Sequence, residues 1–206
     1  MNQDIIKRLE DLKRDILHSR GMQVTQSQNY PFSIFIYSPM EEYFVRQKFS
    51  ELIVDIQKKD ILVLEINLAS ECIELLKNRD DGDWTIEEII EREKDFFSED
   101  KEFEHPFQLV QDVFRPIMEN EDGLSQSVKN KIELFQKKLE GRKGIVFITR
   151  AGFLYPFYKT SSLLKFLTDT KGLPVVFLYP GTRMSETSLS YMGVMSPDSN
   201  YRPRMY

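Results

Sequence analysis

The residues best suited to recognition gather in the last third of the chain. Arg150, the run Phe153-Leu154-Tyr155-Pro156-Phe157-Tyr158, Lys159 and Arg183 interleave cations with large rings, and the tail DSNYRPRMY adds Arg202 and Arg204. Two kinds of binding use such a mixture. Rings stack on bases while cations meet phosphates in single-stranded nucleic acid, and the same residue types anchor protein interfaces. The candidates for contact with a partner or an anion are therefore Arg150, Tyr155, Phe157, Lys159, Arg183, Arg202 and Arg204. The plain alternative is that the rings fold back into the core and only the guanidinium groups show.

Catalytic patterns are missing. A phosphate loop needs glycines so that backbone N–H groups can wrap a phosphate, followed by lysine and a hydroxyl. The turn after the first apolar run is instead SPMEEY, which places Glu41 and Glu42 where an anion would sit. Carboxylates there satisfy the helix dipole and repel phosphate. The pair Lys159-Thr160 follows Tyr158, where a phosphate loop has glycine, and the third apolar run ends in Thr149-Arg150 rather than in acids that hold magnesium. Neither GxGxxG nor GxSxG occurs. Cys72 falls on the apolar face of a helix, with no basic neighbour in sequence to activate it, and reads as packing. Glu65 lies within a strand and reads as a residue of the solvated end of the sheet rather than a perturbed acid. His18 and His105 are far apart, and neither has a Cys or His beside it, so no metal site is expected. No cofactor and no catalytic residue are assigned.

The elements that must position these groups follow from periodicity. Ile5, Leu9, Leu12 and Ile16 form one face of a helix over 3–19, closed by Gly21. Phe32 to Tyr37 and Ile61 to Ile66 read as strands. Between them Ser38, Pro39 and Glu41 have the signature of a capping box, with Pro39 at the first helical position. Val45, Phe49, Leu52, Ile53 and Ile56 then share a helical face. Asn67 caps a helix that turns Leu68, Cys72, Leu75 and Leu76 inward. A further helix starts at Ser125, with Val128, Ile132, Phe135 and Leu139 inward, and ends at Gly141. Ile145–Ile148 and Val175–Leu178 are almost wholly apolar, the pattern of strands covered on both faces. The helix between them, with Leu163, Leu164, Phe166 and Leu167 on one face and Lys171-Gly172 at its end, makes a βαβ unit. Tyr179-Pro180-Gly181 reads as the turn after the fourth strand, and Leu189–Val194 as an antiparallel edge strand.

The chain has 206 residues, 41% hydrophobic and 30% charged, enough for one domain with a sizeable core. No apolar run approaches a membrane span, and the charged N-terminus is no secretion signal. A single cysteine fits the reducing cytoplasm, the expected location. The net charge of −5 is uneven. Residues 144–206 hold seven Lys/Arg against three Asp/Glu, a net of +4, which leaves −9 for the remainder. This suggests a face that meets anions or an acidic partner. Residues 79–123 hold 16 Asp/Glu against five Lys/Arg. Ile86, Ile89, Ile90 and Phe97 keep helical spacing there, and Pro106 and Pro116 bracket a short segment. This acidic helical excursion reads first as a solvated helical pair, and otherwise as a lid or docking surface. The fold class expected is α/β: a single domain over 1–206, with a mainly parallel sheet of four to five strands, helices on both faces in Rossmann-like layering without a phosphate loop, and the acidic insertion.

FSIFIYSPMEEYFVRQKF, LEINLASECIELL, FITRAGFLYPFYKTSSLLKFL, VVFLYPG and DSNYRPRMY together resemble the BrxB family of bacterial BREX phage-defence systems, in order from about residue 30 to the end. The GFLYPF loop and YRPR carry most of the likeness, and the acidic segment carries little. The resemblance implies a non-catalytic adaptor that associates with the phosphatase-like protein PglZ and other BREX components, an ATPase and a DNA methyltransferase, with no catalytic residues to carry over. Two alternatives stand beside it: a nucleic-acid-binding subunit of the same system, and a degenerate nucleotide-binding domain.

Overall fold

The computed structural model describes residues 2–25, 32–78, 85–98, 108–158, 160–167, 170, 172–198 and 203–206. The periodic helices form where expected. α1 (Asn2–Ile16) buries Ile5, Leu9, Leu12 and Ile16, and α2 (Glu42–Gln57) buries Val45, Phe49, Leu52 and Ile56. Between them lies β1 (Phe32–Tyr37), every residue of which is buried. β2 (Leu62–Asn67) follows, and Asn67 caps α3 (Leu68–Lys77) by accepting hydrogen bonds from the backbone N–H groups of Ala69 and Ser70 at 3.1 and 3.2 Å. α4 (Ile86–Ser98), α5 (Gln108–Glu119) and α6 (Leu124–Leu139) lead to β3 (Gly144–Thr149); α7 (Thr160–Phe166) then precedes β4 (Val175–Arg183), β5 (Leu189–Tyr191) and β6 (Arg204–Met205).

The sheet runs in the order β2-β3-β4-β1-β6, with parallel pairing throughout that path, and β5 pairs antiparallel with β4. Alternation along the central strands fills two cores. Phe35, Tyr37, Ile145, Phe147, Val176 and Leu178 face α1 and α2. Ile34, Ile36, Val146, Ile148, Val175 and Phe177 face α3, α6 and α7. Strands flanked by helices on both sides favour apolar residues at nearly every position, which is why β1, apart from Ser33, β3, apart from Thr149, and most of β4 read as apolar runs. Phe49 sits edge-on to Phe35 and Phe147, with centroids 5.0 and 5.6 Å apart, and locks α2 to the sheet.

Several local expectations are corrected. Ser38 makes no side-chain cap. Glu41 N–H bonds the Ser38 backbone carbonyl at 2.8 Å in a 3-10 turn over Pro39–Glu41, so α2 begins at Glu42 rather than at Pro39. The carboxylate of Glu41 is buried, and its Oε1 has no hydrogen-bond partner among the described residues. α6 is capped by Gly123, and the Ser125 hydroxyl is spent on Tyr158 Oη at 2.9 Å. Pro116 lies inside α5 rather than bracketing it; the helix carries on, with Asn120 N–H bonding the Pro116 carbonyl at 3.0 Å. α7 ends at Phe166, ahead of the expected stop at Lys171-Gly172. Tyr179, Pro180 and Gly181 belong to β4 itself, and β5 pairs with that extension rather than with a sheet edge. Pro106, Lys159, Lys171, Arg202 and the side chains of Phe97 and Phe166 lie outside the described residues.

Candidate functional site: the carboxyl end of the sheet

β1 exits into the Pro39–Glu41 turn and α2 on one face. β3 exits into a 3-10 turn (Ala151–Leu154) and α7 on the other. Strands that send their connections to opposite faces leave a crevice at their carboxyl ends, the usual ligand position of open α/β sheets. Here it is lined by Pro39, Glu42, Arg150, Gly152, Phe153, Pro180 and Met192 and has a volume of about 200 Å³.

Its polar groups are tied in a short chain. Tyr37, buried in β1, donates its hydroxyl to Glu42 Oε2 at 2.5 Å. Burial first, and then the Glu42 charge and that hydrogen bond, hold the Tyr37 phenol far above the ordinary tyrosine range. Glu42 Oε1 faces Arg150 Nη1 at 3.7 Å, an ion pair too long for a hydrogen bond. Arg150 ends β3 with φ 63°, the left-handed region that a non-glycine residue seldom occupies. Beside this chain, Tyr191 in β5 donates to the Ala151 carbonyl at 2.5 Å, which pins the 3-10 turn to the hairpin; burial pushes this phenol up as well.

The aromatic loop divides its side chains. Leu154 and Tyr158 are buried, Phe157 is half-buried, and Phe153 and Tyr155 are exposed. Phe157 stacks on Phe114 of α5 at 5.9 Å, and Phe153 meets the same ring edge-on at 6.4 Å. The acidic excursion is thus more than a solvated pair: α5 packs on the aromatic loop, and Leu76, Ile89 and Val113 form a small core of their own. Tyr155 sits edge-on to Tyr191 at 6.0 Å.

Among the sequence candidates, Arg150, Tyr155 and Phe157 come together at this end of the sheet. Arg183 lies nearby on the hairpin, where its guanidinium donates to the carbonyls of Ser185 and Glu186 at 3.1 and 3.3 Å and shapes its own turn. Arg204 is elsewhere. It pairs with Ser33 near the amino end of β1, forms an ion pair with Asp15, donates to the Gln23 carbonyl at 2.8 Å and covers the Tyr206 ring. Sequence reasoning missed Tyr37, Glu42 and Met192. Glu42 and Tyr37 were visible as an acid at the helix start and a polar end to an apolar strand; Met192 enters only through the hairpin, which sequence spacing does not reveal.

A second cavity, of about 480 Å³, opens between α7 and the hairpin and is lined by Thr160, Ser161, Ser162, Lys165, Tyr179, Tyr191 and Asp198, among others. Cys72 is buried, and burial, with the neighbouring Glu71 charge, pushes its thiol up to about 12. Glu65 is exposed on β2 and accepts from the Thr149 hydroxyl at 3.0 Å. Among the described residues, no group of three or more His, Cys, Asp or Glu is placed to hold a metal ion, and no helix is long and apolar enough to cross a membrane.

Comparison with curated proteins and with solved structures finds no match. A family model described as BREX protein BrxB matches residues 64–205, from within β2 to the last strand. The match leaves out β1 and α2, which the sequence resemblance included, and it takes in Arg150, the aromatic loop and the hairpin. Spanning well over half of the chain, this match places the protein in the BrxB family, whose members are components of BREX defence systems.

Proposed function

We propose that the chain is a non-catalytic adaptor of a BREX complex that docks the PglZ-like protein of its system through the carboxyl end of the sheet. The observation that carries this reading is where large apolar side chains face solvent. Of the eleven that do so among the described residues, five belong to segments leaving the carboxyl ends of β1, β3 and β4, namely Met40, Tyr43, Phe153, Tyr155 and Met184, and Val194 follows β5. Met40 is 90% exposed and Tyr43 80%, values with no role in packing this chain. Clustered exposed apolar groups mark interaction sites, and methionines adapt to varied partner surfaces. PglZ is the partner that the family resemblance implies, with the BREX ATPase and DNA methyltransferase as further members of the assembly.

The test is co-purification of tagged protein with the other components of its system. Wild type is expected to retain the PglZ-like protein, and Met40→Glu with Tyr43→Glu to lose it while melting at the wild-type temperature. Full retention by a folded double variant would reject this surface. Two rival readings have their own outcomes. Gel-shift binding that weakens steeply with salt would make the chain a nucleic-acid-binding subunit. Heat on titration with ATP or GTP plus magnesium would assign the larger cavity, which has the volume of a ligand site, to a nucleotide.

A further inference from the structure

We propose that the crevice at Arg150 is an anchor pocket for one acidic side chain of the docking partner, whose carboxylate takes the Arg150 guanidinium. This rests on the docking reading above and specifies the chemistry of what docks. The Arg150 side chain is 32% exposed and donates no hydrogen bond among the described residues, although a guanidinium carries five donors in a fork suited to carboxylate. Its charged neighbour among the described residues, Glu42, stands at 3.7 Å, and the other Glu42 carboxylate oxygen is held by Tyr37. Glu42 keeps the guanidinium in place without closing on it. The remaining walls are apolar: Pro39, Phe153, Pro180 and Met192, with Gly152 contributing no side chain. The cavity, about 200 Å³, falls below the roughly 300–1,000 Å³ of small-molecule pockets and suits a single side chain. An arginine with open donors among apolar walls, next in the chain to the exposed Met40 and Tyr43 through Pro39 and Glu42, has the composition of an interface hot spot.

The experiment compares Arg150→Gln, Gly152→Leu and Arg183→Gln with wild type for binding to the purified PglZ-like protein. Gly152→Leu fits the backbone, since a Cβ there would meet Met192 Sδ and Pro180 Cγ at 3.6 Å, an ordinary contact, and the rest of the side chain would enter the crevice. Arg150→Gln and Gly152→Leu should each weaken binding about tenfold or more, as loss of a half-buried charged contact does. Arg183→Gln, whose guanidinium serves its own turn, should stay within about twofold of wild type by the same measure. A photo-crosslinking residue in place of Phe153 should capture a partner peptide that contains Asp or Glu. Wild-type affinity in folded Arg150→Gln or Gly152→Leu, or capture of a peptide without an acid, overturns the anchor and leaves the docking surface standing. A wild-type chain that binds no BREX component overturns the docking reading and the anchor with it.

Discussion

Removing the carboxylate of Asp15 should loosen the C-terminal strand from the rest of the protein. Asp15 is 7% exposed at the end of α1, and it accepts the Tyr206 hydroxyl at 2.9 Å while pairing with Arg204. β6 contributes only two residues to the sheet, so its hold depends on these side chains and on the backbone bonds between Ile34, Ile36 and Tyr206. In Asp15→Ala the buried bond from Tyr206 to a charged acceptor is lost, worth about 1.5–3 kcal/mol. The pair with Arg204, which is one-third exposed, adds at most about 1 kcal/mol. Arg204 keeps the Gln23 carbonyl and the Tyr206 ring, which offsets part of the loss. The expected destabilisation is about 2–3 kcal/mol, a fall in melting temperature of roughly 5–10 °C for a chain of this size. Tyr206→Phe should cost about 1 kcal/mol, because Asp15 retains Arg204, and the double variant should reveal a coupling of about 1 kcal/mol. Denaturant unfolding with a constant m-value measures all three. Burial, and then Asp15, raise the Tyr206 phenol. Its contribution is therefore fully present below the ordinary tyrosine value of about 10 and is lost as pH climbs toward the raised value. A cost below about 0.5 kcal/mol for Asp15→Ala, the range of surface changes, would refute this account of the tail.

Two further outcomes follow from burial and close approach. Because its thiol is pushed up to about 12, Cys72 should resist an exposed-thiol reagent at pH 8 in the folded protein and react stoichiometrically once denatured; rapid labelling of the native state would contradict its place in the core. Gly181→Ala would press a Cβ onto the Ser190 carbonyl oxygen and to 2.5 Å from a Tyr179 ring carbon, so it should cost about 2 kcal/mol and free the 184–198 hairpin for protease cleavage. Unchanged melting and cleavage would show that β5 is not held against β4 as described.

The parts of this fold legible in the sequence are those where a long period meets a single core. α1, α2 and α6 each repeat apolar residues over four turns, and β1, broken only by Ser33, and Ile145–Ile148 of β3 are apolar runs between turn residues, so type and inward face follow directly. The antiparallel fifth strand was legible, but the extension of β4 that it pairs with was hidden because Tyr179-Pro180-Gly181 has turn composition. Proline nonetheless ends the strand's parallel pairing without loss, since its carbonyl still accepts the Met192 N–H at 2.9 Å, and glycine is required by the approach of β5. The capping box failed for a local reason: a 3-10 turn let the Ser38 backbone carbonyl take the bond assigned to its side chain. At the candidate site, residue type identified Arg150 and the aromatic loop. It could not separate them from Arg204, because which strand the tail pairs with is a long-range fact. Nor could it show that Phe114 of the acidic segment packs on Phe153 and Phe157, since nothing local links residues some forty positions apart.

The crevice has the location of a phosphate site without its chemistry. A phosphate cradle works through several backbone N–H groups converging on the anion at a helix start, which spread its charge. At the start of α2 lie Glu41, buried, and Glu42, hydrogen-bonded to Tyr37, and among the described residues the cation across the gap is Arg150. The cost of taking an ion out of water rises with the square of its charge, whereas attraction to a single guanidinium rises only in proportion to it. A crevice whose guanidinium is already faced by the Glu42 carboxylate therefore disfavours a phosphate dianion far more than a monovalent carboxylate. In the docking proposed above, that carboxylate would arrive on a protein whose surrounding residues would cover exposed apolar groups such as Phe153 and keep water from the pair. Contact through this end of the sheet, with charge used to select the partner rather than to hold a nucleotide, is the use that the residues of the crevice support.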